Sequence, residues 1–389
     1  MSNLNTQLDR AQLDAEKMHP REPRQQGAIP MWVADMDFPA AEPIRASLLK
    51  RMEQPSYGYT GKTARYYDAV TDWMKRRHQW DTKAEWITTT PGVVTAMGFA
   101  VRAVISPGEK VVYQPPVYPP FKRMIEQNGG IAVPSPIKLV DGQFQMDFDD
   151  LEAQLRDPEV KLFFLCNPHN PVGRVWTREE LAKIGELCLK HQVKIFSDDI
   201  HHDIVLSGST YTPIASLSPD ISGITITATS PSKTFSIPGF KMGNIFIENK
   251  ALRQAFRSVV ESTGVSDIDI GAIEATIAAY NEGETWFNEV LQYIEANNAL
   301  VDQFIADKLP QLTTFPLEGT YLKWIDCRAL GLNGKELEGF MLEQANIWFS
   351  EGYTFGEEGA GFERMNLGTQ RSNVEETLAR LERALQARG

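Results

Sequence analysis

From Trp86 onward the chain alternates short apolar runs with amphipathic stretches, and this alternation predicts its architecture. Residues 86–89, 111–113, 131–133, 162–165, 193–196, 224–227 and 245–247 are mostly apolar runs too short for helices, so they read as strands. Between them, Met97, Val101 and Val104 repeat at helical spacing, and residues 121–127 and 178–190 carry the same period. Strands alternating with helices specify a mostly parallel sheet covered on both faces, with polar ligand groups in the loops at the strand ends.

The flanks follow other rhythms. The first twenty-odd residues form an arm with short helical potential, closed by Pro20 and Pro30. An apolar segment over residues 31–39 carries two carboxylates, Asp35 and Asp37, and reads equally as plain packing with turn acids. After the glycine-punctuated loop Tyr57-Gly58-Tyr59-Thr60-Gly61, the residues Tyr66, Val70 and Trp73 mark one buried helix face. Past Ala251 the pattern turns helical over residues 268–280 and 286–309, the second stretch being too long for a crossover and better placed between domains. Strand-like 321–325, helix-like 336–344, strand-like 347–349 and 362–367 and a last helix from Val374 make a second, smaller α+β unit. The expected division is a large domain over residues 45–285 and a small one built from 1–44 and 286–389.

A length of 389 residues agrees with two domains. The net charge of −12 argues against nucleic acid or an anionic membrane as a partner, though it leaves room for a local cationic pocket. Cys166, Cys188 and Cys327 are odd in number and set in apolar surroundings, as reduced core residues are. The N-terminus has no apolar targeting core and no run is long enough to span a membrane, so the cytoplasm is the expected compartment.

Candidate chemistry gathers in the loops after the strands. Thr229-Ser230-Pro231-Ser232-Lys233-Thr234 follows a buried strand, with a second cation at Lys241. Such a lysine suits an amine that forms a Schiff base beside a phosphate, and taken alone it reads as well as a solvated loop lysine. Gly92, Val93 and Val94 open a helix whose first N–H groups can cradle an anion. The turn Asn167-Pro168-His169-Asn170-Pro171 holds an amide side chain stiffly, or is an ordinary Asn-Pro turn. In Ser197-Asp198-Asp199-Ile200-His201-His202-Asp203, adjacent histidines suggest a metal, but no third ligand lies at a supporting spacing, so no metal is expected. A carboxylate at that strand end would instead hold a pyridine nitrogen protonated.

Together these segments resemble the fold-type I pyridoxal-phosphate enzymes of the class I/II aminotransferase superfamily, and within it the cystathionine β-lyase-like carbon–sulfur lyases. The likeness runs from Trp32 to about Arg371, with specific marks in residues 32–38, Pro-Pro-Val-Tyr118-Pro-Pro-Phe, Asn167-Pro-His-Asn-Pro-Val-Gly-Arg, Ser197-Asp-Asp-Ile-His and Ser230-Pro-Ser-Lys-Thr-Phe. It implies an α/β fold whose large domain holds a mostly parallel seven-stranded sheet, a homodimer with shared active sites, an amino-acid substrate and pyridoxal 5′-phosphate (PLP) as cofactor. Lys233 would carry the cofactor and act as the base at the substrate Cα. Asp198 would pair with the ring nitrogen, Asn170 and His201 would hydrogen-bond the ring hydroxyl, and Tyr118 would stack on the ring and take part in catalysis. The phosphate would rest on Gly92, Val93, Val94, Ser230, Lys241 and a Tyr59 reaching in from the second subunit. Arg364 would clamp the substrate carboxylate beside Trp32; the same arginine could be a strand-edge salt bridge.

The Asn-Pro-His-Asn turn and His201, where typical aminotransferases have tyrosine, favour β-elimination of a thiol from cystathionine or a related S-substituted cysteine. Transamination is the alternative within the class, and a regulatory role through protein contacts is the alternative outside it. The sequence departs from the family pattern at Asp199, in Ser236-Ile237-Pro238-Gly239-Phe240 and at Ser350-Glu351, which bears on which amino acid is accepted.

Overall fold

In the computed structural model, which describes residues 3–265 and 267–388, seven apolar runs line up as one sheet. Across it the order is Ile87–Thr90, Gly243–Phe246, Thr225–Thr229, Lys194–Asp198, Val160–Cys166, Lys110–Tyr113 and Ile131–Pro134. Every neighbouring pair is parallel except those made by Gly243–Phe246, which runs antiparallel to both its neighbours. Both faces are covered, and this is why the strands are apolar throughout rather than alternating. Leu162, Phe164, Phe196, Ile226 and Ile245 pack with residues of helices Val93–Val104 and Lys250–Ser262. Phe163, Leu165 and Ile195 pack on the other face with Leu181 and Ile184 of helix Arg178–Lys190, whose start is fixed by reciprocal bonds between Thr177 and Glu180.

The second unit is an antiparallel sheet of Thr313–Thr314, Leu322–Asp326, Phe362–Asn366 and Ser350–Glu351. Ile29–Pro30 of the N-terminal arm pairs in parallel with Ile347–Trp348, so the arm joins the C-terminal part of the chain. Helix Glu284–Lys308 buries Phe287, Val290, Ile294, Val301 and Ile305 along one stripe, the pattern that predicts it. The expected helix over 336–344 is instead a short α-helix, Gly334–Gly339, continued by a wider π turn, Phe340–Gln344. Helix Glu42–Met52 has only Ile44 buried and carries little periodic signal. No helix among the described residues is long and apolar enough to cross a membrane.

Candidate active site

A cavity of about 840 Å³ opens at the carboxyl ends of the parallel strands and is bordered by both sheets. Of the residues singled out above, Trp32, Gly92, Val93, Val94, Tyr118, Asn170, Asp198, His201, Lys233, Lys241 and Arg364 line it. Residues more than three hundred positions apart in the chain therefore meet in one place.

Lys233 lies in a short helix, Pro231–Thr234, that follows strand Thr225–Thr229 and is capped by Ser230. Its Nζ donates to the carbonyl of Ala34 at 2.5 Å. Burial lowers its amine to about 8, against the opposing pull of Asp35 and Asp198 and with help from Arg364. Asp198 ends strand Lys194–Asp198 and accepts from the Ile200 N–H at 3.2 Å. Burial raises its carboxyl to about 7, opposed by that N–H and by Lys233. No cationic side chain among the described residues forms an ion pair with Asp198, and Lys233 acts on it only from a distance.

Arg364 stands in strand Phe362–Asn366 and is held from three directions. Nη1 donates to Asn170 Oδ1 at 2.8 Å, and Nη2 donates to the Trp32 carbonyl and to Ser350 Oγ, both at 2.9 Å. Its ring-like fork lies over Phe355 at 4.8 Å. Burial pushes its guanidinium down to about 10, no carboxylate among the described residues pairs with it, and its buried Nε has no partner. This is no strand-edge salt bridge. A fixed guanidinium that lines a cavity without a carboxylate partner suits the carboxylate of a ligand.

Gly92 has φ +87° at the start of helix Val93–Val104, a backbone region that favours glycine. Gly243 lies so close to it that an added Cβ would stand 2.6 Å from Thr90 Oγ1 and 3.1 Å from the Gly92 carbon. Lys241, at φ +46° after the turn Pro238–Phe240, reaches the same cavity. His201 is buried, its Nδ1 has no partner, and desolvation holds its imidazole well below its ordinary pKa. Trp32 stacks on Trp348 with ring centres 4.6 Å apart and donates from Nε1 to the Lys17 carbonyl at 3.1 Å. Burial raises the Tyr118 phenol, against the pull of Arg364.

Two of the expected residues do not line the cavity. Ser230 is buried with its Oγ donating to the Met242 carbonyl at 2.6 Å and accepting from the Ser232 N–H at 3.0 Å. As the residue capping the short helix, it turns its hydroxyl inward, and Ser232 lines the cavity instead. Tyr59 is fully exposed, away from the cavity of its own chain.

Of the two adjacent histidines, only His202 meets a ligand-type side chain from elsewhere in the chain among the described residues. His78, His202 and Asp203 come together with ligand-type atoms within 4.8 Å of one another, because helix Ala64–His78 ends beside the loop. Sequence spacing cannot show a partner supplied by a distant helix. The contacts have hydrogen-bond lengths: His78 Nε2 lies 2.7 Å and Trp73 Nε1 3.0 Å from Asp203 Oδ1, while Thr234 Oγ1 lies 2.6 Å from Oδ2. The carboxylates of the apolar N-terminal segment also have a defined place. Asp35 and Asp37 both bind Arg10, and Asp37 takes the buried Lys17 at 2.6 Å. These pairs fasten the arm so that its carbonyls face Lys233, Arg364 and, from Val33 and Asp35, Asn366 Nδ2.

The fold and the site define a class, and comparison with known proteins bears this out. The family model for class I and II aminotransferases matches residues 40–381, and the chain belongs to that family. It is 43% identical over 358 residues to cystathionine beta-lyase PatB of Bacillus subtilis (strain 168), covering 92% of each chain. Among solved structures it matches a PLP-bound chain of Clostridium difficile 630 described as an aminotransferase, at TM-score 0.97 and 38% identity over 99% of this chain and 100% of that one. It also matches cystalysin from Treponema denticola, which contains PLP, at TM-score 0.96 and 36% identity over the whole of both chains. The mostly parallel seven-stranded sheet is that of the fold-type I transferases.

Proposed function

We propose that the protein is a PLP-dependent carbon–sulfur β-lyase that converts cystathionine or a related S-substituted cysteine, with one water, to a thiol, pyruvate and ammonia. The observation that carries this reading is the convergence in one cavity of the buried Lys233 amine, an Asp198 carboxyl and an Arg364 guanidinium, neither of the last two with an ion-pair partner among the described residues. The likeness to PatB supports the reaction class.

The residues present fit the cofactor. Asp198 would meet its ring nitrogen, and the cationic partner would relieve a carboxyl that burial otherwise forces toward its neutral form. Asn170 and His201 would meet the ring hydroxyl, Tyr118 the ring face, and Lys233 the aldehyde. The amides of Gly92 to Val94, the Lys241 ammonium and Ser232, in place of Ser230, would hold the phosphate. When bound, PLP supplies a positive heterocycle that withdraws electrons from the substrate Cα.

The chain itself orients and moves protons. Arg364, fixed by Asn170, Trp32 and Ser350, lines the cavity and would meet the substrate carboxylate. The Lys233 amine, lowered to about 8, takes the Cα proton near neutral pH, and the Ala34 carbonyl supports it when protonated. As the Cβ–S bond breaks, Lys233 or Tyr118 returns a proton to sulfur. The reaction is redox-neutral.

Transamination is a second reading, favoured by the aminotransferase description of the Clostridium difficile relative. Borohydride reduction followed by mass spectrometry should leave an adduct on the peptide containing Lys233. Incubation with cystathionine should then release thiol, pyruvate and ammonia together. Pyridoxamine phosphate accumulating without thiol would overturn the lyase reading in favour of the transaminase.

The same reading extends to assembly and organisation. Leu49, Met52, Tyr57 and Tyr59 are each exposed within eleven residues of one another in the chain, which suits a homodimer contact through which Tyr59 reaches a second site. Pairing of Ile29–Pro30 with Ile347–Trp348 supports grouping residues 1–44 with 286–389 and leaving 45–285 as the large domain. The cytoplasm suits three buried free thiols.

A further inference from the structure

A second cavity, of about 440 Å³, adjoins the first, and Tyr118, Pro119, Thr354 and Phe355 line both. Its walls come from both sheets. The loop after strand Lys110–Tyr113 supplies Tyr113, Pro115 and Val117, and the segment after Ser350–Glu351 supplies Tyr353 and Phe355. A hydrogen bond from the Val117 N–H to the Phe355 carbonyl at 3.0 Å ties the two walls together. Gly356, at φ +132°, permits their close approach, since an added Cβ would stand 3.0 Å from Pro115 Cβ and 2.8 Å from Glu358 Oε2. The cavity is therefore built into the fold and not a gap between loose loops.

Its chemistry is mixed. Lys122, Glu357 and Glu358 are its charged lining residues, and all three are exposed. Lys122 has only a distant contact with Glu126 at 3.9 Å, and neither Glu357 nor Glu358 has an ion-pair partner among the described residues. Their field reaches inward, since Glu358 and Glu357 add to the burial that raises the Tyr113 phenol. Two unpaired carboxylates and one ammonium over an aromatic and proline lining suit a ligand that is apolar along its length and zwitterionic at its end.

We infer that this second cavity receives the leaving-group half of the substrate and that its rim selects a thiol bearing an amino-acid head, with Glu357 and Glu358 meeting the ammonium and Lys122 the carboxylate. The inference rests on the lyase reading and deepens it. With the substrate carboxylate at Arg364 and its Cβ–S bond beside Lys233, a substituent beyond sulfur would pass Tyr118, one of the four residues the two cavities share. Uncharged alkyl thiols would fill the wall and leave the rim unused. The rim would thus act on substrate choice and not on the bond-breaking step.

The test is steady-state kinetics of the PLP-loaded enzyme on cystathionine, S-(2-aminoethyl)cysteine and S-ethylcysteine, which differ in the charges on the leaving thiol. The Glu357→Gln/Glu358→Gln variant should raise KM about three- to tenfold for the first two, as exposed ion pairs do, with kcat and S-ethylcysteine turnover unchanged. Lys122→Met should raise KM for cystathionine alone. Both effects should shrink as salt is added. If the wild type turns over all three and the variants leave the ratios between substrates unchanged, the inference falls while the lyase reading stands. If the wild type releases no thiol from any of them, both fall together.

Discussion

The carboxylate of Asp203 accepts a hydrogen bond from the Thr234 hydroxyl at 2.6 Å, which ties the loop carrying Asp198 and His201 to the residue beside Lys233. The same carboxylate takes Trp73 and His78 from a third element, so one buried anion joins three parts of the chain. Nearby His202 and His78 hold it well below the usual carboxylate range despite burial. Asp203→Asn removes the charge and leaves donors facing donors, and should cost about 3 kcal/mol of stability. A depressed pKa contributes stability above the unfolded value of roughly 3.9 and loses it as pH falls through the folded one. Urea unfolding should therefore show the full gap between wild type and variant at pH 7, closing only in strong acid.

Asp198 predicts the opposite trend. In cofactor-free protein its carboxyl is raised by burial to about 7, so the native state keeps a proton that the unfolded chain has released. Between roughly pH 4 and pH 7 its contribution falls as pH rises, a loss of at most about 4 kcal/mol. Asp198→Asn should therefore melt higher than the wild type at pH 8 when both lack PLP, with the difference vanishing near pH 4. With PLP added the order should reverse at pH 8. Asp199 is also raised to about 7 by burial, with a smaller push from Asp198 that the variant removes, so the difference between the curves reports mainly on Asp198.

Gly243 allows the edge of its strand to approach the turn at Gly92. Gly243→Ala puts a methyl group against Thr90 Oγ1, which itself donates to the Gly92 carbonyl at 2.9 Å. The turn must shift, and the amides after it shift with it. PLP affinity, read by absorbance titration, should fall about tenfold, the effect of losing one or two good phosphate bonds.

Arg364→Lys keeps a positive charge but loses the fork. An ammonium cannot serve Asn170, Trp32 and Ser350 and still present a fixed donor to a carboxylate. We expect kcat/KM for cystathionine to drop about 100-fold, with PLP absorbance unchanged. A variant with full activity would place the substrate carboxylate elsewhere.

A shared site can be tested by mixing. Lys233→Ala and Tyr59→Ala chains should each be weakly active alone. Unfolded and refolded together, they should recover about a quarter of the wild-type sites, because one site of each mixed dimer then holds both native residues. Independent sites would give no recovery beyond the sum.

Most of the sheet was legible because its strands are buried on both faces. Residues 162–165 lie within Val160–Cys166, and the predicted helix 178–190 is the observed one. Helix Glu42–Met52 escaped notice since a single buried isoleucine leaves no period to read. The hairpin of Lys138–Val140 and Gln143–Gln145 is mostly exposed and polar, which hides it for the same reason. In the site, side chains at strand ends were readable and their backbone partners were not. No residue type announces that the carbonyl of Ala34 will face Lys233, since any residue there has one. The family resemblance places the phosphate on Ser230, and only the direction of the short helix shows that its hydroxyl turns inward while Ser232 lines the cavity.

The reversed direction of Gly243–Phe246 has a mechanical result. Since it runs against its neighbour Thr225–Thr229, the excursion over residues 230–242 leaves and rejoins the sheet at the same end of two adjacent strands, like a handle fixed at both ends. Lys233 and Lys241 sit on that one handle. A small molecule held by both amines would be gripped at two points of one connection, while the Gly92 turn and Asp198 would hold it from the strands on either side.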